Sequence, residues 1–279
     1  MAHLVMTTRC NNNCISCIND FSIRAGSNPI TDFTSKRDAL ERESIITIGG
    51  GEPTIYSRFF ELMQFVRSLE KETLLLTNAR AFSVRGFAER FDSIGFDKQM
   101  LRISSAFYGH DRMHHDMMTR ADGSFEQTLR GIKNLLAMGY KIEIRMILSR
   151  MNFRLAKKIS EFISEELPGV ERVAFINMKV TGEALKNKDI LLVPYPKVAQ
   201  AVAPAVDLLG SKGIEAMLLH FPHCILEPRL WKHTRGRTID ESQIMFKGSC
   251  SSCRKKDQCS GIWKSYAELM PLSDFKPIK

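Results

Sequence analysis

A chain of 279 residues, 44% of them hydrophobic, is long enough to bury a full core and fits one sizeable domain with a small appendage. No apolar run approaches the roughly 18 to 20 residues that a membrane span needs, and the N-terminus lacks the charged-then-apolar order of a signal peptide, so a cytoplasmic globular protein is expected. The formal charge of +9 points to an acidic partner, whether nucleic acid, a phosphorylated small molecule or an acidic peptide, or merely to a solvated basic face.

The first apolar run, Leu4 to Thr7, reads as a strand, and directly after it comes Cys10-Asn11-Asn12-Asn13-Cys14-Ile15-Ser16-Cys17. Asn and Ser form helix poorly and supply polar groups that hydrogen-bond thiolate sulfur, so this stretch reads as a ligand loop. Three thiols are one fewer than a closed zinc or iron-sulfur site needs, which leaves a position open to water, substrate or cofactor. Completion of a zinc site by a distant His is the alternative, as is no metal at all. Metal ligation in a reducing compartment explains seven cysteines in two clusters better than a disulfide framework.

A polar connector with Gly26, Ser27, Asn28 and Pro29 leads to a short helical pattern at Thr34 to Glu41. Strand Ser44 to Ile48 ends in Gly49-Gly50-Gly51-Glu52-Pro53-Thr54, and Phe59, Leu62, Met63, Val66 and Leu69 then recur at helical spacing. The alternation continues with strand Thr73 to Leu76, helix Val84 to Phe91 and strand Met100 to Ile103. His110, His114 and His115, with Asp111 and Asp116, are expected in a long polar loop, with Met113, Met117 and Met118 packed beneath it. Ser124 and Gln127 form a capping box for a helix that Gly139 stops. Strand Ile142 to Leu148, helix Leu155 to Leu167, strand Val173 to Met178, helix Val198 to Leu209 kinked at Pro204, and strand Ala216 to Leu219 complete the series. Such repeats build a parallel sheet with right-handed crossovers, either open and doubly wound or a barrel.

The chemically active side chains fall at strand ends, which in parallel barrels form one face and therefore imply one cavity. Bare backbone at Gly49 to Gly51 admits a ligand, although a triple Gly alone is an ordinary turn. Arg145 alternates with Ile144 and Met146 and shares its face with Glu143 and Ile147, so it needs an anionic partner: a ligand carboxylate, Glu143 or Glu52. In the last quarter, Cys224, Cys250, Cys253 and Cys259 supply four thiols, a closed shell for zinc or for an iron-sulfur cluster. Arg229, Trp231, Lys232, His233, Arg235 and Arg237 form a basic stretch that reads as a solvated connector or as a site for acidic peptide or RNA.

The CxxxCxxC step of Cys10, Cys14 and Cys17 resembles the radical S-adenosylmethionine (radical SAM) superfamily. The resemblance implies an α/β fold, a partial (β/α)6 TIM-like barrel over residues 1–210 with a small cysteine-rich metal-binding domain over 211–279. It implies that these three thiolates hold a four-iron four-sulfur cluster whose fourth iron is chelated by SAM. Gly50, Gly51 and Glu52 would then be the motif that contacts the SAM amino group, Arg145 the partner of its carboxylate, and Asn78, Ser104 and Ser124 further cofactor-binding residues. Ser16 stands where the family usually has an aromatic residue. The order of Cys224, Cys250, Cys253 and Cys259 resembles twitch/SPASM extensions, and Trp263 in place of a further Cys implies one auxiliary 4Fe-4S cluster, with zinc as the alternative.

The segments Phe125 to Asn152 and Gly182 to Asn187 look like maturases of the His-Xaa-Ser peptide-modification system. The implied activity is reductive cleavage of SAM to methionine and a deoxyadenosyl radical that abstracts hydrogen from a ribosomally made peptide. The alternatives are a radical SAM enzyme acting on a small metabolite or RNA nucleoside, and a non-catalytic iron-sulfur or zinc regulatory protein. A precursor peptide, a separate peptide-recognition protein (since the chain begins almost at its first strand) and a reductant such as flavodoxin or ferredoxin are the expected partners. No membrane partner is expected, and nucleic acid is not favoured.

Overall fold

The computed structural model describes residues 2–20, 32–236 and 240–279; the connector at 26–29 and Arg237 lie outside them. Strands β1 (Ala2–Thr7), β2 (Ile45–Gly50), β3 (Glu72–Thr77), β4 (Leu101–Ala106), β5 (Lys141–Leu148), β6 (Arg172–Asn177) and β7 (Glu215–Leu219) form one sheet in sequence order. All neighbours pair in parallel. Each crossover moves the chain one strand in the same direction, so the sheet curls into a partial barrel of six strand-helix units completed by a seventh strand. β7 is hydrogen-bonded to β6 from Arg172 opposite Glu215 to Ile176 opposite Leu219, so the sheet continues past residue 210.

The returning helices are α1 (Arg37–Glu41), α2 (Phe59–Arg67), α3 (Arg85–Asp92), α4 (Arg112–Thr119), α5 (Ser124–Ala137), α6 (Ala156–Glu166), the short α7 (Glu183–Lys186) and α8 (Lys188–Leu191), and α9 (Tyr195–Ser211). Their apolar stripes cover the convex face of the sheet; on β5, Ile142, Ile144, Met146 and Leu148 are buried in this layer. Phe59, Phe82 and Phe91 lie at its centre, with ring centroids 5.0–6.0 Å apart, distances at which aromatic pairs add to simple burial.

Two sequence expectations change. His114 and His115 are helical, because Asp111 caps α4 by accepting the His114 N–H at 2.9 Å; Met118 is buried, but Met113 and Met117 are exposed. The cap of α5 is not the Ser124 box: Gly123 is the cap residue, and Asp116 of α4 accepts from Gly123 N, Ser124 Oγ and Phe125 N at 2.7–2.8 Å. Helix α9 runs through Pro204, whose missing N–H removes one ladder bond from a helix anchored by eight buried side chains. Among the described residues no helix is long and apolar enough to cross a membrane.

Beyond β7 the chain forms short 3-10 turns, the antiparallel pair β8 (Ile244–Met245) and β9 (Ile262–Trp263), and α10 (Lys264–Ala267). Trp263, Tyr266 and Phe275 form a small core that closes on Tyr195 at the start of α9, where the Tyr195 and Tyr266 rings stack. Each of these side chains contributes about 1.5–3 kcal/mol by burial, enough to dock the segment without metal. Trp263 Nε1 also donates to Asn177 O at 3.2 Å, which ties β9 to the end of β6.

Candidate functional site

The Cys10 to Cys17 loop starts three residues beyond β1 and is held by main-chain bonds to three separate segments and by side chains from a fourth. Gly51 N and Glu52 N donate to Thr7 O and Arg9 O at 2.6 and 2.8 Å. Asn13 N and Ile15 N donate to Thr119 O and Met118 O at the end of α4, at 2.8 and 2.9 Å. Ala184 N of α7 donates to Cys17 O at 3.0 Å. From the end of β3, Asn78 Nδ2 reaches Asn11 Oδ1 at 2.6 Å, while Arg80 donates to Asn12 Oδ1 at 2.6 Å and to Asn11 O. Asn12 N points at Cys10 Sγ from 3.4 Å, and Asn78 Nδ2 approaches the same sulfur at 4.0 Å.

None of the seven cysteines is in a disulfide. Among the described residues, the one triple of metal-type donor atoms within 4.8 Å of one another is His110, Asp111 and His114, so neither cysteine set is drawn that tightly together. Tetrahedral zinc, with Zn–S of about 2.3 Å, needs its sulfurs about 3.8 Å apart. Three thiolates are a soft donor set, which suits an iron-sulfur cluster as well as zinc.

The glycine turn is shaped by the cysteine loop itself. A Cβ on Gly51 would collide with the Arg9 carbonyl, and one on Gly182, at φ +59°, with the carbonyl of Ile18. Gly51→Ala is therefore expected to displace the cysteine loop and to lower cluster iron by more than half. Far-ultraviolet circular dichroism should stay near wild type, because no core side chain changes; iron counting against dichroism checks this.

The buried Glu52 carboxylate accepts four bonds from the protein: Thr54 N at 3.1 Å, Thr54 Oγ1 and Thr77 Oγ1 at 2.6 Å, and Asn78 N at 2.7 Å. Burial raises its pKa, and these donors oppose the rise. The side chain thus binds the end of β2 to the end of β3, leaving backbone as the part of this turn that can meet a ligand.

Arg145 lies on the concave face of the sheet and donates through Nε to Glu143 Oε1 at 2.9 Å; the same oxygen accepts from Ser104 Oγ at 2.7 Å. Of the anionic partners weighed from sequence, Glu143 is the one seen. Arg145 also depresses the pKa of His3 on β1 and of His220 beyond β7, in each case after burial, the larger cause. His220 falls to about 4; its backbone is left-handed, its Nδ1 is buried without a hydrogen-bond partner, and its ring lies 4.4 Å from that of Trp263. Sequence pattern missed His220, since a lone His after an apolar strand carries no motif. Ser124 is fully buried and bonded to Asp116 and to Thr119, whose carbonyl accepts from Asn13 N of the cysteine loop.

His115 underlies the cysteine loop: its Nδ1 accepts from Tyr108 N at 3.3 Å, and burial lowers its pKa to about 4. A folded-state value below the ordinary 6.5 means that its contribution is complete above pH 6.5 and is lost as pH falls toward 4. Urea unfolding at pH 5 should give a stability about 2 kcal/mol below that at pH 7 through this group alone. A His115→Asn variant should show a correspondingly flatter pH dependence.

Cys224, Cys250, Cys253 and Cys259 line one cavity with His223, Phe246 and Lys255. Burial, then the neighbouring thiols, push Cys224 up to about 11; burial also raises Cys259. Backbone N–H groups of Ile278 and Gly261 point at Cys253 Sγ and Cys259 Sγ from 3.4 and 3.5 Å. Four thiols from three chain segments thus line one cavity, a donor set that suits a thiophilic metal or cluster.

The model of the radical SAM superfamily matches residues 4–161. Over 255 residues the chain is 25% identical to the Fe-coproporphyrin III synthase of Methanosarcina barkeri, covering 86% of this chain and 61% of that one. It is 25% identical over 212 residues to the mycofactocin maturase MftC of Mycobacterium tuberculosis, covering 75% and 51%. Streptococcus suis SuiB bound to precursor peptide SuiA aligns with a TM-score of 0.63 at 14% identity over 88% of this chain and 52% of that one, a likeness of fold. The chain spans 61% of the first relative's length and about half of the other two.

Proposed function

Since this chain is a member of the radical SAM superfamily, we propose that it modifies a ribosomally made peptide, with Cys10, Cys14 and Cys17 holding a four-iron cluster that binds SAM. The observation that carries this is the three-thiol loop, fixed by several chain segments beside the Gly50–Gly51 end of β2, with Arg145 inside β5 of the same sheet. When bound, the cluster supplies the electron that cleaves SAM and so generates the radical that takes hydrogen from substrate. The chain's own residues orient the cofactor and exclude water.

In this reading the SAM amino group meets main-chain oxygens of the Gly50 to Glu52 turn, and the Glu52 carboxylate holds that turn in place. The guanidinium N–H groups of Arg145 not engaged by Glu143 take the SAM carboxylate. Asn78, Ser104 and Ser124 are the further residues proposed to border the cofactor. Cys224, Cys250, Cys253 and Cys259, which line one cavity, hold an auxiliary iron-sulfur cluster in a C-terminal domain that begins beyond β7, with zinc as the alternative. Held by these four thiols, such a group would offer a place to bind substrate or accept an electron, with flavodoxin or ferredoxin as the proposed reductant.

The similarity to MftC and to peptide-bound SuiB, together with the distal cysteine quartet, supports peptide as the substrate. A small-metabolite substrate is the second reading, favoured by the longer match to Fe-coproporphyrin III synthase. Anaerobic incubation with dithionite, SAM and each peptide encoded beside this protein is expected to change one peptide's mass. Unchanged peptides alongside turnover of a tetrapyrrole would establish the second reading instead.

A further inference from the structure

Two arginines of the basic stretch that stands out in the sequence are paired in the fold: Arg229 with Asp207 and Glu227, and Arg235 with Glu215. A different group of cations, scattered over the sequence, is not. Arg150, Arg154 and Lys197 line a cleft of about 330 Å³ with Phe153, Val193 and Pro194, and no acidic side chain contributes to its wall. The cleft lies on the rim that carries the cysteine loop, since Arg150 follows the C-terminal end of β5 by two residues and Lys197 is in the first turn of α9.

Arg150 is held without a carboxylate. Its Nε donates to Leu192 O at 2.9 Å and its Nη1 to Asp189 O at 3.0 Å, so the guanidinium is oriented while its charge stays uncompensated. Arg154 rests over the Phe153 ring at 5.4 Å. Among the described residues neither Arg154 nor Lys197 has a carboxylate within 4.0 Å. Three like charges around one hollow repel each other, and an anion entering it relieves that repulsion. The apolar part of the wall suits a carboxylate on a hydrocarbon stem better than a fully hydrated phosphate.

We infer that this cleft binds glutamate side chains of the peptide substrate and holds that peptide at the barrel rim; the inference rests on the peptide reading above. The test uses the iron-loaded protein and two fluorescein-labelled synthetic peptides, Gly-Glu-Glu-Leu-Glu-Glu and its all-Gln counterpart, followed by fluorescence anisotropy. The Glu peptide should bind about tenfold tighter than the Gln peptide, and more weakly as salt is raised. A Arg154→Glu/Lys197→Glu double variant, both sites being exposed, should lose about tenfold for the Glu peptide alone. It should still form deoxyadenosine from SAM without peptide at the wild-type rate.

Equal binding of the two peptides, or binding that the double variant leaves intact, would overturn the inference. Displacement of the Glu peptide by inorganic phosphate at a lower concentration than by unlabelled Glu peptide would also overturn it, in favour of a phosphate site. Failure of the peptide reading itself shows separately, as absence of any peptide mass change in protein that cleaves SAM.

Discussion

Replacing Cys10, Cys14 and Cys17 together by Ala is expected to remove about four irons per chain and to abolish SAM cleavage, while iron at the distal cysteines stays. The fold should survive. The loop is held by N–H groups of Gly51, Glu52, Asn13, Ile15 and Ala184 and by the side chains of Asn78 and Arg80, none of which involves a sulfur lost in the variant. Anaerobic iron and sulfide counting, paired with a thermal unfolding curve, separates the outcomes. Undiminished iron would mean that these thiols are not ligands, and complete iron loss with unfolding would mean that the loop is a structural metal site.

The second large effect comes from the other cysteine set. Changing Cys224, Cys250, Cys253 and Cys259 to Ala should remove the remaining iron, leave deoxyadenosine formation from SAM in place, and lower peptide product by more than about a hundredfold, or about 2.7 kcal/mol. The segment should stay docked through Trp263, Tyr266, Phe275 and the stacked Tyr195, which owe nothing to the thiols. Burial favours the protonated Cys224 and Cys259 thiols, so metal uptake at this site should release protons. One zinc and no iron at this site, after anaerobic reconstitution, would show that the quartet closes to the shorter sulfur spacing of a structural metal.

The strands were legible because they are buried on both sides and so read as near-continuous apolar runs, as Ile45 to Ile48 and Leu74 to Leu76 do. The cysteine loop was legible because its ligands are local in sequence. Its supports were not: Gly182 to Lys186 fold against the residues just beyond Cys17 from some 160 positions away, and only topology brings them there. The same limit applies to Glu52, whose four donors come from two strand ends, and to Arg145, where several carboxylates were compatible with the alternation pattern. Helix α4 escaped pattern reading because its exposed face carries Met113 and Met117 while its buried face carries His115 and Thr119, which inverts the usual apolar signal. The Asp111 cap three residues before His114 was the cue that marks its start.

Charge shows the difference most sharply. Arg229 and Arg235 of the basic run are paired with Asp207, Glu227 and Glu215, while Arg150, Arg154 and Lys197 surround a cleft whose wall carries no carboxylate.

The central claim is that the first cluster keeps one iron open to SAM. It is tested most directly by electron paramagnetic resonance of the reduced protein in which the four distal cysteines are replaced, recorded without and with SAM, with deoxyadenosine measured in the same samples. A shift of the signal on adding SAM, accompanied by deoxyadenosine, is the predicted result. A fully iron-loaded sample whose signal ignores SAM and which forms no deoxyadenosine would contradict the account.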